Sequence, residues 1–223
     1  MQISTPLRIP NKHRSIPFHL KKNIYSGKFI VFEGLDGSGQ STQAKLLKEF
    51  LEKEKKISVI LTKEPTNQAP IGVLIRQVLK KEIKVDPLAL QLLFCADRAE
   101  HLKNVIEPAL RNKQWVVSDR YFFSTIAYGS LNLNFNWLIK LNENFLMPDI
   151  IFLLKVKPEI CLKRIDVNRG KREFFEESEK LKKVWNGYRL LKKKYSNVKI
   201  IDGEKSIKEV FLKIKKEIEI LKN

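Results

Sequence analysis

Cysteine is nearly absent from the chain: 223 residues carry only Cys95 and Cys161, far apart and without the spacing of a zinc site. No disulfide framework can be built from them, and a reducing compartment, the cytoplasm, is expected. Long hydrophobic runs are missing too. A stretch such as Ile150–Leu154 is far too short to cross a bilayer, so no membrane partner is expected. The first residues show no apolar stretch of the signal-peptide kind. Acidic residues are under-represented, with 25 Asp and Glu against 43 Lys and Arg, a net charge of +18. That excess fits either a polyanionic ligand or a lysine-rich solvated surface. With no basic module interleaved with aromatics, no specific nucleic acid partner is expected.

What is present is an ordinary globular composition, 43% hydrophobic and 30% charged, long enough for one domain with its own core. Residues 1–26 stand apart: five basic residues, three prolines and no acidic residue read as a poorly ordered basic arm ahead of a single domain over 27–223. Beyond Lys28, short apolar strands alternate with helical periodicity. The strands are Phe29–Phe32, Ile57–Leu61, Trp115–Ser118, Asp149–Val156 and Val198–Ile201. Helical patterns fill Ser41–Lys55, Ile71–Leu79 and Pro87–Arg111, the last expected to bend near Pro108, with further helices up to Leu146, from Pro158, near Glu173–Lys194 and from Ser206. Strands without polar alternation are buried on both faces, which makes this an α/β chain with a five-stranded parallel sheet flanked by helices.

The segment Gly34-Leu35-Asp36-Gly37-Ser38-Gly39-Gln40-Ser41-Thr42 follows the first strand directly and precedes a helix. Its glycines allow the backbone to curl so that successive N–H groups face phosphate oxygens, and the helix adds the positive end of its dipole. Ser41 supplies a hydroxyl suited to a magnesium ion that bridges phosphates. Gln40 stands where such loops carry lysine, and a neutral amide in place of a cation weakens transition-state stabilisation by on the order of a few kcal/mol unless another cation substitutes. A working kinase with a compensating cation and a phosphate-binding fold without catalysis both satisfy this loop.

Further segments gather at the carboxyl edge of the sheet, where open α/β sheets bind ligands. These are Lys63-Glu64-Pro65-Thr66, Arg76, Phe94-Cys95-Ala96-Asp97-Arg98 and Ser118-Asp119-Arg120-Tyr121. Together they deliver Arg76, Arg98 and Arg120 to one edge, although Phe94 taken singly reads equally as core and Asp97-Arg98 as a solvated pair.

Phe32-Glu33-Gly34-Leu35-Asp36-Gly37-Ser38-Gly39, Lys63-Glu64-Pro65, Ala96-Asp97-Arg98, Ile106-Glu107-Pro108, Ser118-Asp119-Arg120-Tyr121 with Ser124 and Ala127-Tyr128, and Ile201-Asp202-Gly203 together resemble the thymidylate kinases, from about Lys28 onward. The resemblance implies a three-layer P-loop fold and transfer of the γ-phosphate of ATP to dTMP, in a homodimer. It implies that Gly34 to Thr42 bind ATP, that Ser41 and Asp119 hold Mg²⁺, and that Phe94 stacks on thymine while Arg98 bonds its edge. Arg76 and Arg120 then hold the 5′-phosphate, Asp36 contacts the 3′-hydroxyl, Tyr128 lies against the sugar, and Glu64 belongs to the substrate site. In the members of this family whose loop carries no base, lid arginines supply the charge. Arg164 to Phe175 is the matching basic stretch, with Arg169 and Arg172 acting beside Asp119, Arg120 and Gln40 in catalysis. Two departures stand out: Gln40, and Gly129-Ser130 where the family has glutamine. The competing readings are a kinase of the same fold acting on UMP, CMP or a deoxynucleoside, and a silent nucleotide-binding protein.

Overall fold

A computed structural model describes residues 21–169 and 175–222. Five parallel strands form one sheet in the order β2-β3-β1-β4-β5: β1 (Phe29–Gly34), β2 (Val59–Lys63), β3 (Trp115–Asp119), β4 (Ile150–Lys155) and β5 (Val198–Asp202). Every residue of β1 and β3 is buried, as strands covered by helices on both faces must be.

One face is covered by α1 (Gln40–Lys53) and α9 (Ile207–Lys222), with Ala44, Leu47 and Leu51 packing among Ile30, Phe32, Val117 and Phe152. On the other lie α2 (Pro70–Leu79), α3 (Pro87–His101), α4 (Glu107–Arg111), α5 (Phe122–Gly129), α6 (Phe135–Asn142), α7 (Pro158–Arg169) and α8 (Ser178–Lys194). Their apolar residues, Phe122, Ile126, Leu181 and Tyr188 among them, meet the opposite sides of β1 and β4. The chain leaves β1 toward β2 and leaves β3 toward β4, so the crevice outside the carboxyl ends of β1 and β3 lies where its direction reverses.

The alternation of strands and helices agrees with the sequence reading, while element boundaries differ in places. β2 runs two residues further than expected because Thr62 and Lys63 pair with Ser118 and Asp119, which carries Lys63 to the sheet edge. The irregularity in Pro87–Arg111 is a π-helical turn, Leu102–Ile106, one turn ahead of Pro108, whose missing N–H is accommodated at the start of α4. Residues 1–20 of the basic arm lie outside the described residues. Its last part is tied to the body: Lys21 bridges Leu146, and Asn23 Nδ2 donates to Asp149 at 2.6 Å and to the Gly27 carbonyl at 2.8 Å.

Candidate active site

The loop between β1 and α1 owes its path to residues that tolerate unusual backbone. Gly37 has φ +79°, and a Cβ there would sit 2.6 Å from the Cys161 carbonyl oxygen, so α7 presses on the loop where only glycine fits. Gly39, at φ +102°, caps α1 and turns the amides of its first turn toward a cavity of about 580 Å³. Asp36, Gly37, Ser38, Gln40 and Ser41 line that cavity, as do Asp119, Arg120 and Arg164.

Ser41 and Asp119 meet where the loop faces the end of β3, the Ser41 hydroxyl donating to Asp119 Oδ2 at 2.5 Å. Lys63 Nζ lies 3.3 Å from the same carboxylate oxygen. Paired hard oxygens of this kind suit Mg²⁺, which takes one or two protein oxygens and completes its shell with water and phosphate. Among the described residues no cluster of three or more His, Cys, Asp or Glu forms a cage made of protein alone.

Gln40 is buried and spends its amide on the loop itself. Nε2 donates to the Gly34 carbonyl and Oε1 accepts from the Ser38 hydroxyl, both at 2.9 Å. The sequence reading placed this amide at the phosphates; Gly34 takes one of its two N–H donors and Ser38 occupies its oxygen, while the residue still lines the loop cavity.

A second cavity, of about 260 Å³, opens beside the first between α2, α3 and α5. Arg76, Phe94, Arg98, Arg120, Tyr128 and Glu64 line it, which brings the predicted substrate residues to one place. Phe94 is half-buried with its ring against the cavity wall, so it is neither plain core nor surface.

The Asp97-Arg98 pair is not solvated. Arg98 is 1% exposed, its Nε and Nη2 both within 2.9 Å of Glu64 Oε2, its Nη1 donating to Asn142 Oδ1 at 2.7 Å and its Nη2 to Thr125 Oγ1 at 2.7 Å. Burial disfavours its charge, yet the Glu64 carboxylate outweighs that and the guanidinium pKa rises. Glu64 is held in turn by His101 Nδ1 at 3.1 Å, whose Nε2 lies 2.6 Å from Thr62 Oγ1. Asp97 faces the other way, accepting from the Thr66 backbone N–H and hydroxyl at 2.8 and 2.5 Å.

Arg76 donates to the Pro65 and Thr66 carbonyls beyond the cis Glu64–Pro65 bond. Arg120 adopts φ +76°, a conformation costly for a residue with a side chain, and its backbone is fixed there by bonds to Phe32 and Ser118. From that turn its guanidinium reaches Asp36 at 2.8 Å, the Gly34 carbonyl at 2.9 Å and Ser124 at 2.8 Å. Tyr128 donates to Asp36 Oδ2 at 2.5 Å, and its ring lies 5.5 Å from the Arg120 guanidinium carbon.

Beneath this layer sit residues to which the sequence reading gave no role. Glu33 accepts from the Tyr121 and Ser124 backbone, the Ser124 hydroxyl and the Tyr188 hydroxyl, and burial lifts its carboxyl to about 7. Tyr188 Oη also lies 3.1 Å from the Gly34 carbonyl, its single hydrogen shared between that carbonyl and Glu33, which links α8 to the loop. Thr125 and Asn142, which clamp Arg98, carried no signal because no spacing rule connects α3 to α6. At the Gly129 departure a Cβ would meet Gln91 Oε1 at 2.8 Å, so a larger residue there requires the amide end of Gln91 on α3 to shift. Of the expected lid, Arg164 donates to the Gly203 carbonyl at 3.1 Å; Arg172 and the side chain of Arg169 lie outside the described residues.

The family model described as thymidylate kinase matches residues 32–214. A probable thymidylate kinase of Thermococcus kodakarensis is 42% identical over 202 residues, covering 86% of this chain and 98% of its own. One from Pyrococcus horikoshii is 40% identical over 190 residues (82% and 92%), and the thymidylate kinase of Plasmodium falciparum 38% over 198 (88% and 91%). Among solved structures, a thymidylate kinase from Candida albicans superposes with a TM-score of 0.73 at 28% identity, covering 88% of this chain and 92% of its own.

Proposed function

The chain belongs to the thymidylate kinase family, and we propose that it transfers the γ-phosphoryl group of ATP to dTMP, giving dTDP and ADP. The observation that carries this reading is the junction of the two cavities: Asp36, Lys63 and Arg120 line both, so two nucleotides placed in them meet end to end over one arginine. The loop cavity takes the triphosphate on the amides around Gly37 to Thr42. The smaller cavity takes the acceptor, with Phe94 against the pyrimidine, Arg98 at its edge, Arg76 and Arg120 on the phosphate, and Asp36 with Tyr128 at the sugar.

The acceptor oxygen of dTMP is already anionic, so no side chain has to remove a proton. Positioning and charge neutralisation carry the rate. Arg120 is suited to this because Asp36, Tyr128, Tyr188 and Asp119 more than offset its burial and hold it charged. Ser41 and Asp119 are the residues that would hold Mg²⁺, which supplies charge neutralisation along the phosphates when bound with ATP.

Two wider features belong to the same reading. Val73 and Leu74 are exposed on α2, as are Leu88 and Leu92 on the adjoining α3, apolar surface that supports a homodimer, checked by light scattering. Free Cys95 and Cys161, the latter held as a thiol with its pKa at about 12, support a reducing cytoplasm; no described helix is long and apolar enough to cross a membrane.

An ADP-release assay with ATP and magnesium tests the activity against dTMP, dUMP, UMP and no acceptor. Fastest release is expected with dTMP. Fastest release with UMP would overturn the acceptor assignment, and ATP binding without acceptor-dependent release would make the chain a silent nucleotide binder.

A further inference from the structure

The loop lacks its cation, and the structure offers few replacements among the described residues. Four basic side chains line the loop cavity: Lys63, Arg120, Arg164 and Lys205. Arg120 is engaged by Asp36, Gly34 and Ser124, and it holds the acceptor end. Arg164 is turned to the Gly203 carbonyl. Lys205 is exposed beyond β5, on the side away from the acceptor cavity. Lys63, which shares with Arg120 a place on both cavities, differs from all three in its partner. It ends β2 beside β3, it lines both cavities, and its ammonium sits 3.3 Å from the Asp119 oxygen to which Ser41 also donates.

We infer that Lys63 supplies the positive charge that Gln40 withholds, making it a catalytic residue that bridges the phosphates of donor and acceptor. This deepens the kinase reading above and rests on it. Gln40 is retained by the loop as a neutral strut between Gly34 and Ser38, while the cation comes from the neighbouring strand across the Ser41-Asp119 pair. The Lys63 side chain is 40% exposed, so its pair with Asp119 contributes little to stability and leaves the ammonium able to turn toward anionic oxygens with its three donors. In the transfer, an oxygen of the dTMP phosphate forms the new bond to the γ-phosphorus. The bond from that phosphorus to the β–γ bridging oxygen breaks, and ADP leaves with the electron pair. The negative charge spread over the moving phosphoryl group in that step falls between the two cavities, where Lys63 stands.

A double-mutant cycle between positions 63 and 40 tests the inference, because a charge moved from one place to another predicts non-additivity. Lys63→Gln is expected to lower kcat with dTMP by about 100-fold in the parent chain, and by about tenfold or less when Gln40→Lys has restored a loop cation. Calorimetry supplies a readout that needs no turnover: Lys63→Gln should weaken the non-hydrolysable ATP analogue AMP-PNP by about tenfold while changing AMP affinity by less than about twofold. Thermal unfolding of Lys63→Gln is expected within about a degree of the parent, as for an exposed side chain. Equal losses in both backgrounds would overturn the inference, since Lys63 would then act independently of the missing loop cation, and no loss in either would also overturn it, leaving Lys63 only the surface partner of Asp119. A parent chain that makes no dTDP but binds AMP-PNP in a Lys63-dependent way would remove the kinase reading and leave the relocated charge standing.

Discussion

The acceptor cavity and the phosphate loop lie side by side and are built in opposite styles. Around the acceptor, charge is buried and over-determined: Arg98 is locked by Glu64, Asn142 and Thr125, and Glu64 is locked again by His101. Around the loop, the side chain that would carry charge is neutral and internally satisfied, and recognition falls to backbone amides with a half-exposed lysine nearby. Buried ionic networks tolerate almost no change, because removing one partner strands the other in low dielectric. A solvated cation can move between elements, because water screens each intermediate arrangement. The acceptor side is therefore the more sensitive to substitution, and the donor side the more tolerant.

Breaking the acceptor side should have the largest effect. Arg98→Ala strands Glu64 and is expected to cost about 3–5 kcal/mol in urea unfolding and about 10³-fold or more in kcat/KM for dTMP. Affinity for AMP-PNP should stay within about twofold of the parent, and an equal loss on both nucleotides would erase the contrast between the two regions.

Glu33, below both regions, comes next. Its carboxyl is raised from 4.5 to about 7 by burial, so the folded state holds a proton that the unfolded chain releases. The stability this provides is complete below about pH 4.5 and is lost as pH rises through about 7. Relative to Glu33→Gln, the parent should lose about 3 kcal/mol of unfolding free energy between pH 4 and pH 8. Parallel profiles would mean that Glu33 stays ionised, held by its four donors.

A smaller effect is expected behind the acceptor wall. Gly129→Ala meets only the movable amide end of Gln91, buried with Oε1 unpartnered among the described residues, and urea unfolding should show a stability change within about 1 kcal/mol. The smallest change belongs to the loop. Gln40→Lys should raise turnover about three- to tenfold, and a fall would show that the Gly34-Gln40-Ser38 strut matters more than a local cation.

Much of this was readable along the chain where the physics is local. The glycine spacing, the strand before it and the helix after it give the loop, since a backbone curl depends on neighbouring φ values. The apolar strands give the parallel sheet, and the edge position of Arg120 follows from where the third of them ends. The coupling of Arg98 to Asn142 and of Gly34 to Tyr188 was not readable, because those contacts join residues 44 and 154 positions apart on different elements and leave no periodic trace. The direction of the Gln40 amide was equally hidden: an amide offers donors and acceptor alike, and only the surrounding partners decide which it uses.

Sequence by itself determined the sheet, the phosphate loop, the roster of arginines and the absence of a loop lysine, all of which follow from short-range sterics and the period of apolar residues. The tertiary structure alone decided that Arg98 is buried and Lys63 half-exposed, that Gln40 bonds to its own loop, and that burial pushes the Glu33 carboxyl up. Those outcomes depend on the local dielectric and on partners far along the chain, and neither exists until the helices close over the sheet.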